Sequence, residues 1–160
     1  MATRIIVGLA LGPAFLAALF FLPPIALAVI VAFIAGAASF ELLRAAKVAH
    51  HNGMYIFTAL AAALIPLGHA LGYGSWTARA VAILLMAVLF LPALGRYGTQ
   101  NEIRFEHIIV CLFGGVGVPL FLSALVQLKR FDNGQFYVLL PVICAFTTDT
   151  GAYFFGVFLG

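Results

Sequence analysis

The chain has 160 residues, of which 65% are hydrophobic and only 8% carry a formal charge. Globular domains contain about 25% charged residues, because a folded surface must stay hydrated. Eight basic and five acidic side chains, with a mean hydropathy of +1.18, cannot coat a water-soluble particle of this size. The composition therefore excludes a soluble domain, and the small, scattered net charge of +3 indicates no nucleic-acid partner.

The first apolar stretch, Ile5–Phe40, contains no charged residue. At about 1.5 Å per residue it is far longer than a hydrocarbon core of about 30 Å requires. Pro23 and Pro24 lie in its middle, where a helix has to break. We therefore predict two spans, Ile5–Leu22 and Ile25–Phe40, joined by a tight turn. A cleavable signal peptide is the alternative for the first span, but the further spans downstream favour a retained helix.

Four more apolar stretches follow, separated by polar segments. Trp76 and Arg79 are expected to be interfacial anchors before the second of these, and Arg96–His107 is predicted to be an exposed loop. The four predicted spans are Met54–Leu71, Ala80–Leu94, Ile108–Leu128 and Phe136–Leu159. The predicted fold class is all-α, a polytopic membrane helix bundle of about six transmembrane helices. We expect residues 1–160 to form a single transmembrane domain.

The positions of the basic residues predict the orientation, since Lys and Arg are enriched in cytoplasmic loops. A cytoplasmic N-terminus places five basic residues inside and three outside. The inside set is Arg4, Arg44, Lys47, Arg96 and Arg104, and the outside set is Arg79, Lys129 and Arg130. This count favours a cytoplasmic N-terminus.

Several features that could carry chemistry have simpler interpretations. Cys111 and Cys144 lie in apolar runs without zinc-type spacing, so we interpret both as small buried hydrophobic residues. His50 and His51 are adjacent and predict an interfacial polar turn rather than a metal site. The glycines of Gly114–Gly117 follow no strand and precede no Lys, so they do not form a phosphate-binding loop. A broken or closely packed helix is predicted there.

Asp149 is the most informative residue, because it lies inside the last apolar run. A carboxylate within a membrane segment usually faces a partner or a water-filled cavity. The hydroxyls of Thr147, Thr148 and Thr150 flank it, and Tyr153 follows one helical turn later. Oxygen ligands of this kind suit hard cations. We predict a metal-binding role for Asp149, with the other four side chains lining a cavity. A protonated Asp that bonds neighbouring helices is the alternative.

The last segment carries a family resemblance. The run Asp149-Thr150-Gly151-Ala152-Tyr153-Phe154-Phe155-Gly156 resembles the D-x-x-A-Y-x-x-G stretch of bacterial phosphatidate cytidylyltransferases, the CDP-diacylglycerol synthases. Arg4-Ile5-Ile6-Val7-Gly8-Leu9, the Leu22-Pro23-Pro24 break, and Glu41 with Leu43 resemble the opening of that family. Two positions depart from the pattern: Val157 replaces a common basic residue, and Leu42 replaces a common aromatic residue.

Members of this family continue with a Lys-rich segment and a Ser-x-x-Lys-Arg … Asp-Arg-x-Asp signature, and neither follows Gly160 in this sequence. Because that signature is missing, we expect residues 1–160 alone to be inactive. The resemblance implies a nucleotidyltransferase that converts CTP and phosphatidate into CDP-diacylglycerol and pyrophosphate in phospholipid biosynthesis. It implies magnesium as the cofactor, held in part by Asp149. It also implies a multi-pass protein of the bacterial inner membrane, and it leaves a homodimer open.

Two other classes of function remain at this point. In the first, a small transporter or ion-coupled subunit uses Asp149 as a proton or cation relay. Transporters usually show paired broken helices from an internal repeat, and the sequence shows no such repeat. In the second, the chain is a structural subunit without a chemical site. A reading frame that continues into Lys- and Asp-rich sequence would favour the transferase over both.

Overall fold

The computed structural model describes residues 16–17, 20–48, 52–99 and 103–159. Most of the predicted first span, Ile5–Leu22, lies outside these residues, and so do Arg4, His50 and His51. The principal elements are α1 (Pro24–Ala45), α2 (Asn52–Ala70), α3 (Gly74–Gly95), α4 (Phe105–Leu112), a π-helical segment (Phe113–Gly117), α5 (Val118–Lys129) and α6 (Gly134–Leu159). No β-strand occurs among the described residues, so the predicted all-α class is confirmed.

Five helical spans in the described part of the chain are long and apolar enough to cross a membrane. Four of them are single helices: α1, α2, α3 and α6. The fifth, Phe105–Lys129, consists of α4, the π-helical segment and α5 in succession. The predicted membrane helix bundle is confirmed, with a number of spans close to the predicted six.

The proline pair starts α1, as predicted. Pro23 has the extended backbone of an N-cap residue, with φ −66° and ψ 160°, and Pro24 is the first helical residue. Proline is well suited to this position, because the first N–H groups of a helix have no intrahelical acceptor. α1 continues to Ala45, five residues beyond the predicted end, and stops before Lys47, which has a positive φ of 53°.

Two further predicted boundaries are wrong. The span predicted to start at Ala80 begins at Gly74, so Trp76 and Arg79 belong to the first turns of α3. No helix-breaking residue separates them from the apolar run, and helix formation continues through polar residues that can remain exposed. The predicted loop Arg96–His107 is too long, because α4 begins at Phe105.

The chain forms two compact units, one of residues 23–127 and the other of residues 1–22 with 128–160. We call them the central unit and the terminal unit. The prediction of a single transmembrane domain stays a prediction.

The π-helical segment packs tightly in the central unit. A Cβ atom added at Gly115 would come within 2.5 Å of Leu85 Cδ2 and 3.1 Å of Thr58 Cγ2. At Gly114 it would come within 3.1 Å of Leu43 Cδ1. Helix backbones in membranes approach closely where such small residues occur. The predicted closely packed helix around these glycines is therefore confirmed.

Two buried hydroxyls in the central unit, those of Ser39 and Ser123, bond to backbone carbonyls. Ser39 Oγ lies 2.8 Å from the Ala35 carbonyl oxygen and also contacts the Gly114 carbonyl, so α1 is linked to the π-helical segment. Ser123 Oγ donates to the Pro119 carbonyl over 2.6 Å. A buried hydroxyl without such a bond would destabilise the fold. These polar residues therefore have structural roles.

The terminal unit contains α6, the longest helix among the described residues, with 26 residues. Its first turns are packed: Gly134 and Val138 are buried, and the Phe136 ring meets Phe20 edge to face with 6.0 Å between centroids. All residues from Ile143 to Phe158 are exposed except Gly151, which is partly buried. The side chains in the second half of α6 therefore lie mostly on the surface of the described structure.

Candidate membrane-embedded site on α6

Asp149 lies within the span that α6 forms. It is fifteen residues from the start of α6 at Gly134, which corresponds to about 22 Å along the helix axis. That distance is shorter than the thickness of a hydrocarbon core of roughly 30 Å, so the carboxylate lies inside the span. Its side chain is exposed on the helix surface. A carboxylate at this depth is costly unless it faces water, a cation or another protein surface.

The helix distributes the predicted site residues over different faces. Successive residues are about 100° apart, so Tyr153 points within about 40° of Asp149 and Thr147 points nearly opposite to it. Thr147 and Thr150 line a shallow depression of about 420 Å³ with Phe146, Gly151 and Phe154, and Asp149 does not line it. The structure therefore brings Asp149 and Tyr153 to one face and places Thr147 and Thr150 on another.

Thr148 lies between these faces and has an intrahelical role. Its Oγ1 donates a hydrogen bond to the Cys144 carbonyl over 2.7 Å, one turn earlier. Ser and Thr hydroxyls in membrane helices often bond in this way, which satisfies the donor without a partner helix. Cys144 itself is exposed, so its interpretation as a buried residue is wrong, whereas Cys111 is buried as predicted. Both cysteines are free.

The donor set limits the kind of metal site that α6 could supply. No group of three or more His, Cys, Asp or Glu side chains that could hold a metal ion occurs among the described residues. The described residues therefore form no enclosed metal centre from those side chains alone. Mg²⁺ is commonly bound by one or two carboxylates, together with waters and the phosphates of a substrate. A single carboxylate such as Asp149 fits only that second mode, as one ligand among several.

Sequence reasoning located Asp149 within a membrane span but missed two features of the central unit. One is the contact between Ser39 and the π-helical segment, and the other is an apolar groove that ends at Arg96. Neither has a local pattern in the sequence, because each depends on residues from helices that are far apart in the chain. Arg96 follows α3 directly, and its position after a long apolar run was the only available signal.

The fold and this site define an all-α polytopic membrane protein with an exposed carboxylate at hydrocarbon depth. The comparison with known families adds the chemistry. The sequence model of the Cytidylyltransferase family matches residues 2–160, which is nearly the whole chain. The chain therefore belongs to the cytidylyltransferase family, and its class is that of a CTP-using nucleotidyltransferase. No curated protein and no solved structure matches the chain significantly.

Proposed function

We propose that the protein is a phosphatidate cytidylyltransferase, which forms CDP-diacylglycerol for phospholipid biosynthesis. In this reaction a phosphate oxygen of phosphatidate bonds to the α-phosphorus of CTP. The bond between that phosphorus and the oxygen that bridges to the β-phosphate breaks, and pyrophosphate leaves. The observation that carries the proposal is the family match over residues 2–160 of a chain with five described membrane-spanning helices.

The membrane location supports a lipid as the acceptor of the cytidylyl group. CTP is a water-soluble polyanion, so a cytidylyltransferase has no need of five apolar spans in order to bind it. A phosphatidate molecule holds its acyl chains in the bilayer and its phosphate at the interface. An enzyme embedded in the membrane can meet that phosphate without extracting the lipid, which would expose apolar surface to water. We place this enzyme in the bacterial inner membrane.

Asp149 is the proposed ligand for the metal that accompanies CTP. The reaction brings the phosphates of two anionic substrates together, so their charge must be offset in the transition state. Magnesium, when bound, neutralises and orients the triphosphate. The part of Asp149 is to hold one coordination position at a fixed depth on α6. Tyr153, on the same face, offers a phenolic hydroxyl that can donate to or accept from a substrate oxygen.

The test follows cytidylyl transfer directly. Membranes from cells that express the complete product of the gene receive CTP labelled at the α-phosphate, magnesium and one lipid acceptor. With phosphatidate we expect labelled CDP-diacylglycerol and one pyrophosphate per product. Membranes without the expressed protein are the control. Diacylglycerol should give no labelled lipid, since it lacks the attacking phosphate. If phosphatidate accepts no label although another lipid phosphate does, the family assignment holds and the acceptor is wrong.

A second experiment separates the transferase from the transporter alternative. A relay that uses Asp149 would move a proton or cation across sealed vesicles without CTP. The transferase needs CTP and phosphatidate and moves no ion. We expect pH and cation gradients to dissipate no faster in vesicles that contain the protein than in vesicles without it. A flux that is independent of CTP and is removed by Asp149→Asn would support the relay.

A further inference from the structure

The central unit has an apolar groove between α2 and α3. Two adjoining cavities form it, one of about 360 Å³ and one of about 240 Å³. Phe57 and Val88 line both cavities, so the two meet at these side chains. The larger one alone lies within the range of roughly 300–1,000 Å³ typical of small-molecule sites. The groove as a whole is therefore large enough to hold part of a ligand.

The groove has a buried floor and exposed walls. Leu85 and Leu89 are 3% and 1% exposed and form the floor. Leu60 and Leu64 are at least half exposed and form part of the wall on α2. Ala61 also lines the groove. Its side chain is small, so a hollow remains between the larger side chains around it. A groove with this lining in a membrane-spanning bundle fits a hydrocarbon chain.

One end of the groove is polar. Arg96, at the end of α3, is the one charged residue that lines it among the described residues. From Arg96 back to Val81, at the opposite end of the lining on α3, there are 15 residues, which is about 22 Å along the helix. One leaflet of the hydrocarbon core is about 15 Å thick. The groove therefore runs from the membrane interface through the depth of one leaflet.

This combination of charge and shape identifies the ligand class. A guanidinium group presents five N–H donors in a planar fork that matches phosphate oxygens and can serve more than one acceptor. Basic pockets between membrane helices on the cytoplasmic side suit anionic head groups. The predicted orientation puts Arg96 on that side. We propose that this groove holds an anionic phospholipid, with its phosphate at Arg96 and one acyl chain along Phe57, Val88 and Leu85.

The proposal goes beyond the transferase activity and does not depend on it. It assigns to the central unit a lipid site of its own, built from α2 and α3. Asp149 does not line this groove. Lipid binding in the groove should therefore survive Asp149→Asn, which is expected to stop cytidylyl transfer. The two proposals can fail separately.

The experiment uses a photoreactive lipid. The complete gene product is reconstituted into phosphatidylcholine nanodiscs with a trace of phosphatidylglycerol that carries a diazirine midway along one acyl chain. After irradiation, mass spectrometry locates the label. We expect it to concentrate in the segments that line the groove, 57–64 and 81–89. A matching phosphatidylcholine probe measures the labelling that does not depend on head-group charge.

Variants test each end of the groove. Arg96→Gln should reduce labelling by the anionic probe by about tenfold, the usual effect of one charge-assisted contact, and leave the phosphatidylcholine probe unchanged. Arg79→Gln, at the other end of α3, is the matched control and should change neither probe. Ala61→Phe should fill the hollow and reduce labelling by both probes, and Ala61→Val should do so partly. Ala87→Phe, on the exposed side of α3, should have no effect.

Three results would overturn the proposal. Labelling spread evenly over exposed positions outside these segments, such as Phe33 and Phe121, would show ordinary lipid contact. Equal labelling in Arg96→Gln and the unchanged protein would remove the head-group site. Loss of the anionic preference in excess inorganic phosphate would show that Arg96 binds free phosphate and not a lipid. Arg96→Gln keeps a side chain that can donate hydrogen bonds, and unchanged labelling by the phosphatidylcholine probe would show that the variant is folded, so its result stands even if Ala61→Phe proves unstable.

Discussion

The central unit and α6 bury very different shares of their membrane spans. In the most apolar 18-residue stretch of α1, 33% of the residues are buried within the structure. In the corresponding stretch of α6, only 6% are buried. Both carry polar side chains within an apolar span, but they use them differently. Ser39 is buried and bonds to neighbouring backbone, whereas Asp149 and Thr150 are exposed. Ser39 therefore links two helical segments of the central unit, whereas Asp149 and Thr150 present polar groups on the surface of α6.

The largest expected effect comes from Asp149→Asn. If this carboxylate binds the metal that accompanies CTP, the amide keeps the shape and one oxygen but loses the charge. Transfer of the cytidylyl group should fall by roughly two orders of magnitude or more, or the magnesium requirement should rise steeply. Asp149→Glu keeps the charge one methylene farther out and should retain part of the activity. Rates are measured at matched expression.

The matched control is Asp132→Asn, which changes an exposed carboxylate in the turn before α6. It should leave transfer and magnesium dependence unchanged. Membrane insertion of both variants should be normal, since a neutral amide is no more costly in the bilayer than a carboxylate. An Asp149→Asn protein with full activity would support the alternative in which this residue only bonds neighbouring helices.

The next prediction concerns topology, because the contrast between the central unit and α6 depends on α2 crossing the membrane. Cysteines at positions 47 and 75, in a background without Cys111 and Cys144, should react with an impermeant maleimide from opposite faces. Lys47 and Ser75 are exposed at the two ends of the α2 span. Ser75 serves better than its neighbour Gly74, where an added Cβ would come within 2.2 Å of the His69 ring. Reaction of both cysteines from one face would exclude this arrangement.

Glycine substitutions test the difference in packing. Gly115→Ala places a methyl group against Leu85 and Thr58, and overpacking of this kind typically costs about 1–3 kcal/mol. Gly151→Ala, on α6, meets nothing within 4 Å and should leave stability unchanged or raise it slightly. Thermal unfolding in detergent measures both. A Gly151→Ala variant as unstable as Gly115→Ala would mean that α6 is as closely packed as the central unit.

The smallest effects concern the buried hydroxyls. Ser39→Ala removes the link to Gly114 and should destabilise the central unit by about 1 kcal/mol. Thr58→Val should change stability by less than about 0.5 kcal/mol, because Thr58 Oγ1 has no oxygen or nitrogen partner and lies beside the weakly bonding Cys111 thiol. Chemical denaturation in mixed micelles can compare the free energies of unfolding of the two variants. A larger loss in Thr58→Val would show that the thiol contact matters.

Much of the fold could be predicted from local sequence. Charge-free runs of sufficient length specify membrane helices, because lipid leaves the backbone few other ways to satisfy its hydrogen bonds. The start of α1 at Pro24 follows from the missing N–H of proline. Asp149 was identifiable because a charge inside a span is costly, whatever surrounds it. These features depend on a residue and its neighbours in the chain.

Helix geometry alone, with a rotation of about 100° per residue, distributes Thr147, Thr148 and Asp149 over different faces of α6. The tertiary structure decided the rest. It turned the glycines around Gly115 into a π-helical contact with Leu85 on α3. It also formed a groove that ends at Arg96 from two helices. Each of these depends on which helix faces meet, and side chains from distant spans decide that together.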